Sequence, residues 1–167
     1  MRILLVRHGP AVDPYAAPTD ETRWLTDAGR RRVRQVASAL ADVGLRFTCI
    51  YTSPLVRAVQ TAELLAQAQP GFDGPIEVHR ALAPEHGSTA QALAPMDHAG
   101  EDDLIAMVTH EPKVRILAGH LTGLSSFPAF RTGAACLVEH DGRRGRFQWM
   151  MDPESRELAR TVEAIHL

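Results

Sequence analysis

Ile3-Leu4-Leu5-Val6-Arg7-His8-Gly9 sets an apolar tetrad directly against an arginine, a histidine and a glycine. A continuous apolar run this short, closed by polar residues, predicts a strand buried on both faces, as in the middle of a parallel sheet. Such a strand delivers Arg7 and His8 to the C-terminal edge of the sheet, where open α/β folds bind ligands. Gly9 then lets the backbone turn sharply and approach a ligand closely. A fixed cation beside a nucleophilic imidazole points to phosphate chemistry. The tripeptide alone recurs by chance in roughly one chain in a hundred of this size, so the rest of the chain must carry the assignment.

Outward from this strand, apolar runs alternate with helical periods. A Pro- and Asp-rich loop covers Pro10 to Trp24, and Thr26 is placed to cap a helix from Asp27 to about Asp42. Phe47–Tyr51 reads as a second strand. Ser53-Pro54 predicts a helix start, a cap followed by proline at the first helical position, and that helix ends before Pro70. Ile76–Val78 reads as a third strand, Thr89–Leu93 as a short helix and Leu104–Val108 as a buried fourth strand. Glu111-Pro112 opens another helix, stopped by Gly123. Ala135–Glu139 and Phe147–Met151 flank Asp141-Gly142 as a hairpin, with Met150-Met151 read as core strand, and Asp152-Pro153 predicts a last short helix. The expected fold is α/β: a single-domain three-layer sandwich over residues 1–167, a mostly parallel sheet with helices on both faces and a C-terminal β-hairpin.

Composition sets the outer bounds. With 167 residues, 45% hydrophobic and 23% charged, the chain fits one ordinary globular domain. No apolar run approaches a membrane span, and the N-terminal apolar stretch is too short for a secretory signal, so a cytoplasmic location is expected. Cys49 and Cys136 form no metal pattern and read as buried thiols. The basic residues are arginines, save Lys113. Arg30, Arg31, Arg32 and Arg34 lie on a helix whose apolar positions are Val33, Val36, Ala37 and Leu40, so they read as its solvated face. With a net charge of −2 the chain has no nucleic-acid signature.

The reactive side chains follow the predicted strands one by one. Arg7 and His8 come after the first, Arg57 in the first turn of the helix after the second, Glu85 after the third, and His110 after the fourth. Topology brings such positions to one rim, with a helix N-terminus favouring an anion there. His79, His86, His98, His120, His140 and His166 show no metal spacing. Val114 stands where a zincin would need its second histidine after His110-Glu111. No metal or cofactor is expected. Tyr15 and Trp24 are candidates either for the pocket mouth or for packing the loop.

Arg7-His8-Gly9, Ser53-Pro54-Leu55 with Arg57 and Gln60-Thr61-Ala62, and Thr109-His110-Glu111-Pro112 together resemble the histidine phosphatase superfamily. Leu25-Thr26-Asp27-Ala28-Gly29 resembles its phosphate-side loop. The compact length and the tail Trp149 to Pro153 are most similar to the SixA-type phosphohistidine phosphatases. The resemblance implies a covalent phosphohistidine on His8 and a phosphate pocket of Arg7, His8, Arg57 and His110. In that mechanism one nitrogen of His8 attacks phosphorus while a backbone carbonyl holds the other, and His110 acts as an imidazolium. The implied partner is a phosphorylated protein carrying phosphohistidine; the alternatives are a small phosphorylated metabolite, or a non-catalytic phosphate- or phosphopeptide-binding module. Thr109 stands where the family usually has glycine. The proton donor is the Glu85 carboxylate or another of Asp13, Asp20 and Glu111.

Overall fold

The computed structural model describes residues 1–165; His166 lies outside the described residues. Strand β1 spans Arg2–Arg7, and its Ile3, Leu4, Leu5 and Val6 are almost wholly inaccessible to solvent. Alternate side chains of a strand face opposite ways, which is why the run has no polar gaps. Ile3 and Leu5 pack into one core layer with Val114, Leu117 and Leu121. Leu4 and Val6 pack into the other with Val36, Leu40, Ala58 and Ala62. Each such side chain contributes roughly 1.5–3 kcal/mol on full burial, so β1 is a main stabilising element as well as the carrier of Arg7 and His8.

Helix α1 (Asp27–Asp42) begins where the Thr26 hydroxyl accepts the Gly29 N–H. Strand β2 is Cys49–Thr52, α2 is Val56–Ala68 and β3 is Ile76–Val78. The short α3 (Thr89–Leu93) is opened by a capping box of Ser88 and Gln91. Strand β4 is Leu104–Thr109, and α4 (Lys113–Thr122) ends at Gly123, which is left-handed at φ 72°. The hairpin is β5 (Ala135–His140) and β6 (Gly145–Met151), followed by β7 (Leu158–Ala159). The seven strands form one sheet in the order β3-β2-β4-β1-β5-β6-β7. β3, β2, β4 and β1 are parallel, and β5 to β7 add an antiparallel flank. α1 and α2 cover one face, α4 the other.

Three local expectations are corrected. Ser53 does not cap α2: the helix starts at Val56 with Leu55 in the cap position, and Pro54 precedes it. After β6, Asp152-Pro153 opens a turn instead of a helix. The Asp152 carboxylate accepts the N–H groups of Glu154 and Ser155, reversing the chain so that Leu158 pairs with Met151 as β7. Phe47 is buried but lies ahead of β2, which starts at Cys49. Cys49 and Cys136 are free, buried thiols, and Met150 and Met151 are core. Among the described residues no helix is long and apolar enough to cross a membrane.

Candidate active site

Parallel pairing of β1 with β4 sets Arg7 opposite Thr109, and the His8 N–H donates to the Thr109 carbonyl at 3.0 Å. His8 and His110 therefore leave adjacent strands at the same level, with ring centroids 4.9 Å apart. His8 Nδ1 lies 2.7 Å from the Gly9 carbonyl. A carbonyl only accepts, so Nδ1 carries the proton and Nε2 holds a lone pair. The Arg57 Nε–H donates to that Nε2 at 3.3 Å. Burial pushes the His8 pKa down to about 4; the Gly9 bond opposes this, and Arg57 and Arg7 add to it. At neutral pH the imidazole is neutral, with its ring proton on Nδ1 and its acceptor electron pair on Nε2.

The turn after His8 is held from two sides. The Gly9 N–H donates to the Thr61 hydroxyl at 3.1 Å, and that hydroxyl donates to the Arg57 carbonyl at 2.8 Å. A β-carbon at Gly9 would collide with the Val33 side chain of α1, and one at Gly29 would collide with the Pro10 carbonyl. Glycine at both positions is what lets α1 pack against the loop.

Arg7 and Arg57 are held differently. Arg7 Nη1 donates to the Phe130 carbonyl at 2.6 Å, while its buried Nε has no partner among the described protein groups. Burial lowers the Arg7 pKa and the Glu111 carboxylate counters it; an arginine stays charged throughout the physiological range. Arg57 is 4% exposed. Its Nη1 donates to the Asp20 carbonyl at 2.6 Å and its Nη2 to the Asp20 carboxylate at 2.9 Å. Asp20 also accepts from Arg23 at 2.8 Å. Burial would raise the Asp20 carboxyl, but the bonds from Arg23 and Arg57 outweigh it and hold the pKa below the usual range.

His110 differs from expectation in its charge. Burial first, then the neighbouring His8 and Arg57, push its pKa down to about 3, so at neutral pH it is neutral, not an imidazolium. Its Nε2 lies 2.7 Å from the Ser53 hydroxyl, which also accepts the Leu55 N–H at 3.3 Å. With that oxygen accepting from Leu55, its own proton is available to His110 Nε2. Donated there, it leaves the ring N–H on Nδ1, the second buried site nitrogen without a partner among the described residues. An oxyanion placed against His110 would draw positive charge onto it. The motif Ser53-Pro54-Leu55 contains this serine, but its local spacing predicts a helix cap and gives no sign of the contact with His110.

The candidate donors sit in different surroundings. Glu85 lies exposed in the turn before α3, and its carboxylate makes no hydrogen bond or ion pair among the described residues. That turn is tied to the rim: Lys113 donates to the Ala81 and His86 carbonyls, and the Thr109 hydroxyl donates to the Leu82 carbonyl at 2.5 Å. Thr109 thus has a side-chain task that glycine could not perform. Asp13 is exposed ahead of Pro14, Asp20 is bound to Arg57, and both Glu111 oxygens are engaged, one by the Phe130 N–H and one by Arg115. Tyr15 and Trp24 are 99% and 40% exposed, so neither packs the loop tightly. No three His, Cys, Asp or Glu side chains among the described residues are grouped to hold a metal ion.

Residues 3–85 match the profile of the histidine phosphatase superfamily (branch 1). An uncharacterized protein of a Picosynechococcus strain is 37% identical over 152 residues, covering 84% of this chain and 90% of its own. The chain belongs to the histidine phosphatase superfamily. It is accordingly a phosphatase, a member of the hydrolases. The phosphohistidine phosphatase SixA of Escherichia coli K12 is 27% identical over 165 residues, 97% of this chain and 100% of that protein. A solved structure of the protein histidine phosphatase SixA with tungstate superposes at a TM-score of 0.84, over 94% of this chain and 100% of that one. The Bombyx ecdysone phosphate phosphatase shares the fold at a TM-score of 0.68, with 13% identity and 87% of this chain covered.

Proposed function

We propose that this phosphatase hydrolyses protein phosphohistidine through a covalent phosphohistidine on His8. The observation that carries the reading is the fixed tautomer of His8: Nδ1–H on the Gly9 carbonyl and a lone pair at Nε2. Nε2 attacks phosphorus in line, the bond from phosphorus to the substrate imidazole nitrogen breaks, and that nitrogen leaves with its electron pair, taking a proton. Arg7, Arg57 and the Nδ1–H of His110 offset charge on the equatorial oxygens. Water then attacks phosphorus, His8 Nε2 departs, and inorganic phosphate is released.

Two features favour a protein substrate. The near full-length likeness to SixA extends through the C-terminal strands. An imidazole leaving group also needs less acid assistance than an alkoxide, which suits a rim whose carboxylates are mostly engaged. The second reading, a small phosphoester as substrate, rests on Glu85, whose unengaged carboxylate stands on a turn anchored to the same rim. A panel decides between them. Phosphohistidine on a histidine-containing phosphotransfer protein should be cleaved with a kcat/KM at least tenfold above that of any metabolite phosphoester. A metabolite ester turned over faster than the phosphoprotein overturns the proposal.

A further inference from the structure

Glu111 follows His110 directly, ahead of α4, and its side chain is 18% exposed. One carboxylate oxygen accepts the Phe130 N–H at 2.8 Å and the other lies 3.1 Å from Arg115 Nε. Phe130 in turn offers its carbonyl to Arg7 Nη1 at 2.6 Å. The two backbone polar groups of one residue thus link a carboxylate on the β4 side of the site to a guanidinium on the β1 side. The Phe130 ring is 1% exposed and packs beside Phe127 at 5.9 Å. The same segment reaches the β1 end again, where the Gly133 N–H is shared between the Arg7 and His8 carbonyls at 3.1 and 3.0 Å.

We propose that Glu111 is a positioning residue for the phosphate-binding Arg7, acting through the backbone of Phe130. Among the described residues, a single hydrogen bond fixes the Arg7 guanidinium, the one to Phe130. The position of that carbonyl therefore sets where the remaining Arg7 N–H groups stand relative to His8 Nε2. A hydrogen bond from a backbone N–H to a charged acceptor contributes more than a neutral one, and it holds Phe130 in register with the residue that follows His110. The carboxylate also lies close enough to Arg7 to favour its charged form. Because both oxygens are occupied, Glu111 is not placed as the proton donor. A displacement of an anchoring group by about 1 Å can cost about 100-fold in rate.

The inference rests on the phosphatase reading of the Arg7–His8 site, so the experiment separates anion binding from turnover. Calorimetry with orthovanadate reads the pocket without catalysis, and aryl phosphate kinetics reads kcat and KM. Glu111→Ala should weaken vanadate binding and lower kcat/KM by about 10- to 100-fold. Glu111→Gln, which keeps an oxygen for the Phe130 N–H, should stay within about fivefold of the wild type. In an Arg7→Ala background, Glu111→Ala should add less than about threefold to the loss, because the two residues act as a unit. An undiminished loss in that background overturns the proposal, as does Glu111→Ala with unchanged vanadate affinity and kinetics. If Glu111→Ala does not fold, Glu111→Gln and Glu111→Leu are compared at matched folded fraction, and equal vanadate affinity in the two likewise overturns it. Failure of wild-type turnover with intact vanadate coupling between Arg7 and Glu111 would instead remove the phosphatase reading.

Discussion

The Arg57 Nε–H donates to His8 Nε2 at 3.3 Å, from a guanidinium whose other two nitrogens are both held by Asp20. The cation is thereby locked beside the atom proposed to attack phosphorus. Arginine is suited to this because its planar fork presents several donors in fixed directions, which an ammonium does not. Arg57→Lys should lose kcat/KM nearly as severely as Arg57→Ala, about 100- to 1000-fold in either case. Steady-state kinetics on an aryl phosphate tests this, and a lysine variant within tenfold of the wild type would contradict the three-point role.

Nucleophilicity at His8 Nε2 has a chemical signature. Brief reaction with labelled substrate followed by an alkaline quench should leave phosphate on His8, stable to base and lost in acid, identified by peptide mass. His8→Ala should lose both label and turnover. Chelators should leave turnover unchanged, whereas vanadate should inhibit; a chelator-sensitive activity restored by a divalent ion would rule out the mechanism as drawn.

The two buried imidazoles make the fold sensitive to acid. Both have native pKa values below the ordinary histidine value of 6.5, about 4 for His8 and about 3 for His110. Between those values and 6.5 the unfolded chain binds protons that the native protein refuses, so stability rises with pH through this window and falls as pH drops from 6.5 toward 4. Each histidine contributes at most about 1.4 kcal/mol per pH unit there. Denaturant midpoints from pH 4.5 to 7 should shift less in a His110→Gln variant than in the wild type. A parallel shift would show that His110 is not the group concerned.

Binding of an oxyanion should reverse the charge preference at His110. Nitrogen-15 spectra should show His8 protonated at Nδ1 and unprotonated at Nε2 down to about pH 5 in the free protein. On adding vanadate, the His110 midpoint should move upward by one unit or more, as an opposite charge brought within bonding distance favours the charged form. No movement on saturation would mean that His110 does not contact the anion.

Asp20 places a negative charge next to Arg57, the proposed phosphate-binding arginine, and its side chain is 54% exposed. Asp20→Ala removes this repulsion while the residue 20 carbonyl can still hold Arg57 Nη1. Vanadate affinity should rise by about two- to fivefold, with less than about 1 kcal/mol lost in stability because the pair is solvent-screened. A weaker vanadate complex would instead make the carboxylate essential for holding Arg57 in place.

The parts of the site that sequence made legible are those carried by strand ends. The apolar runs Ile3–Val6 and Leu104–Val108 predicted their strands and hence where Arg7, His8 and His110 emerge. The Thr26 cap, the Gly123 stop and the Asp141-Gly142 hairpin rest on local turn chemistry, and they stand. Ser53 reads as a helix cap because a serine before proline is locally one, whereas its partner His110 is 57 residues away. The same holds for Asp20 with Arg57 and Phe130 with Arg7, separated by 37 and 123 residues. Strand β7 is two residues long and carries no period to read.

The collision awaiting a β-carbon at Gly9 comes from Val33 of α1, not from anything that touches phosphorus. Of the three letters in Arg7-His8-Gly9, two therefore encode reactivity and the third encodes the distance between a helix and a loop. The carbonyl that orients His8 would be present with any amino acid at position 9. A paired exchange, Gly9→Ala with Val33→Ala, should make room for the added methyl group, so a sequence signature commonly scanned as one unit is separable into a chemical pair and a steric spacer that can be traded against its neighbour.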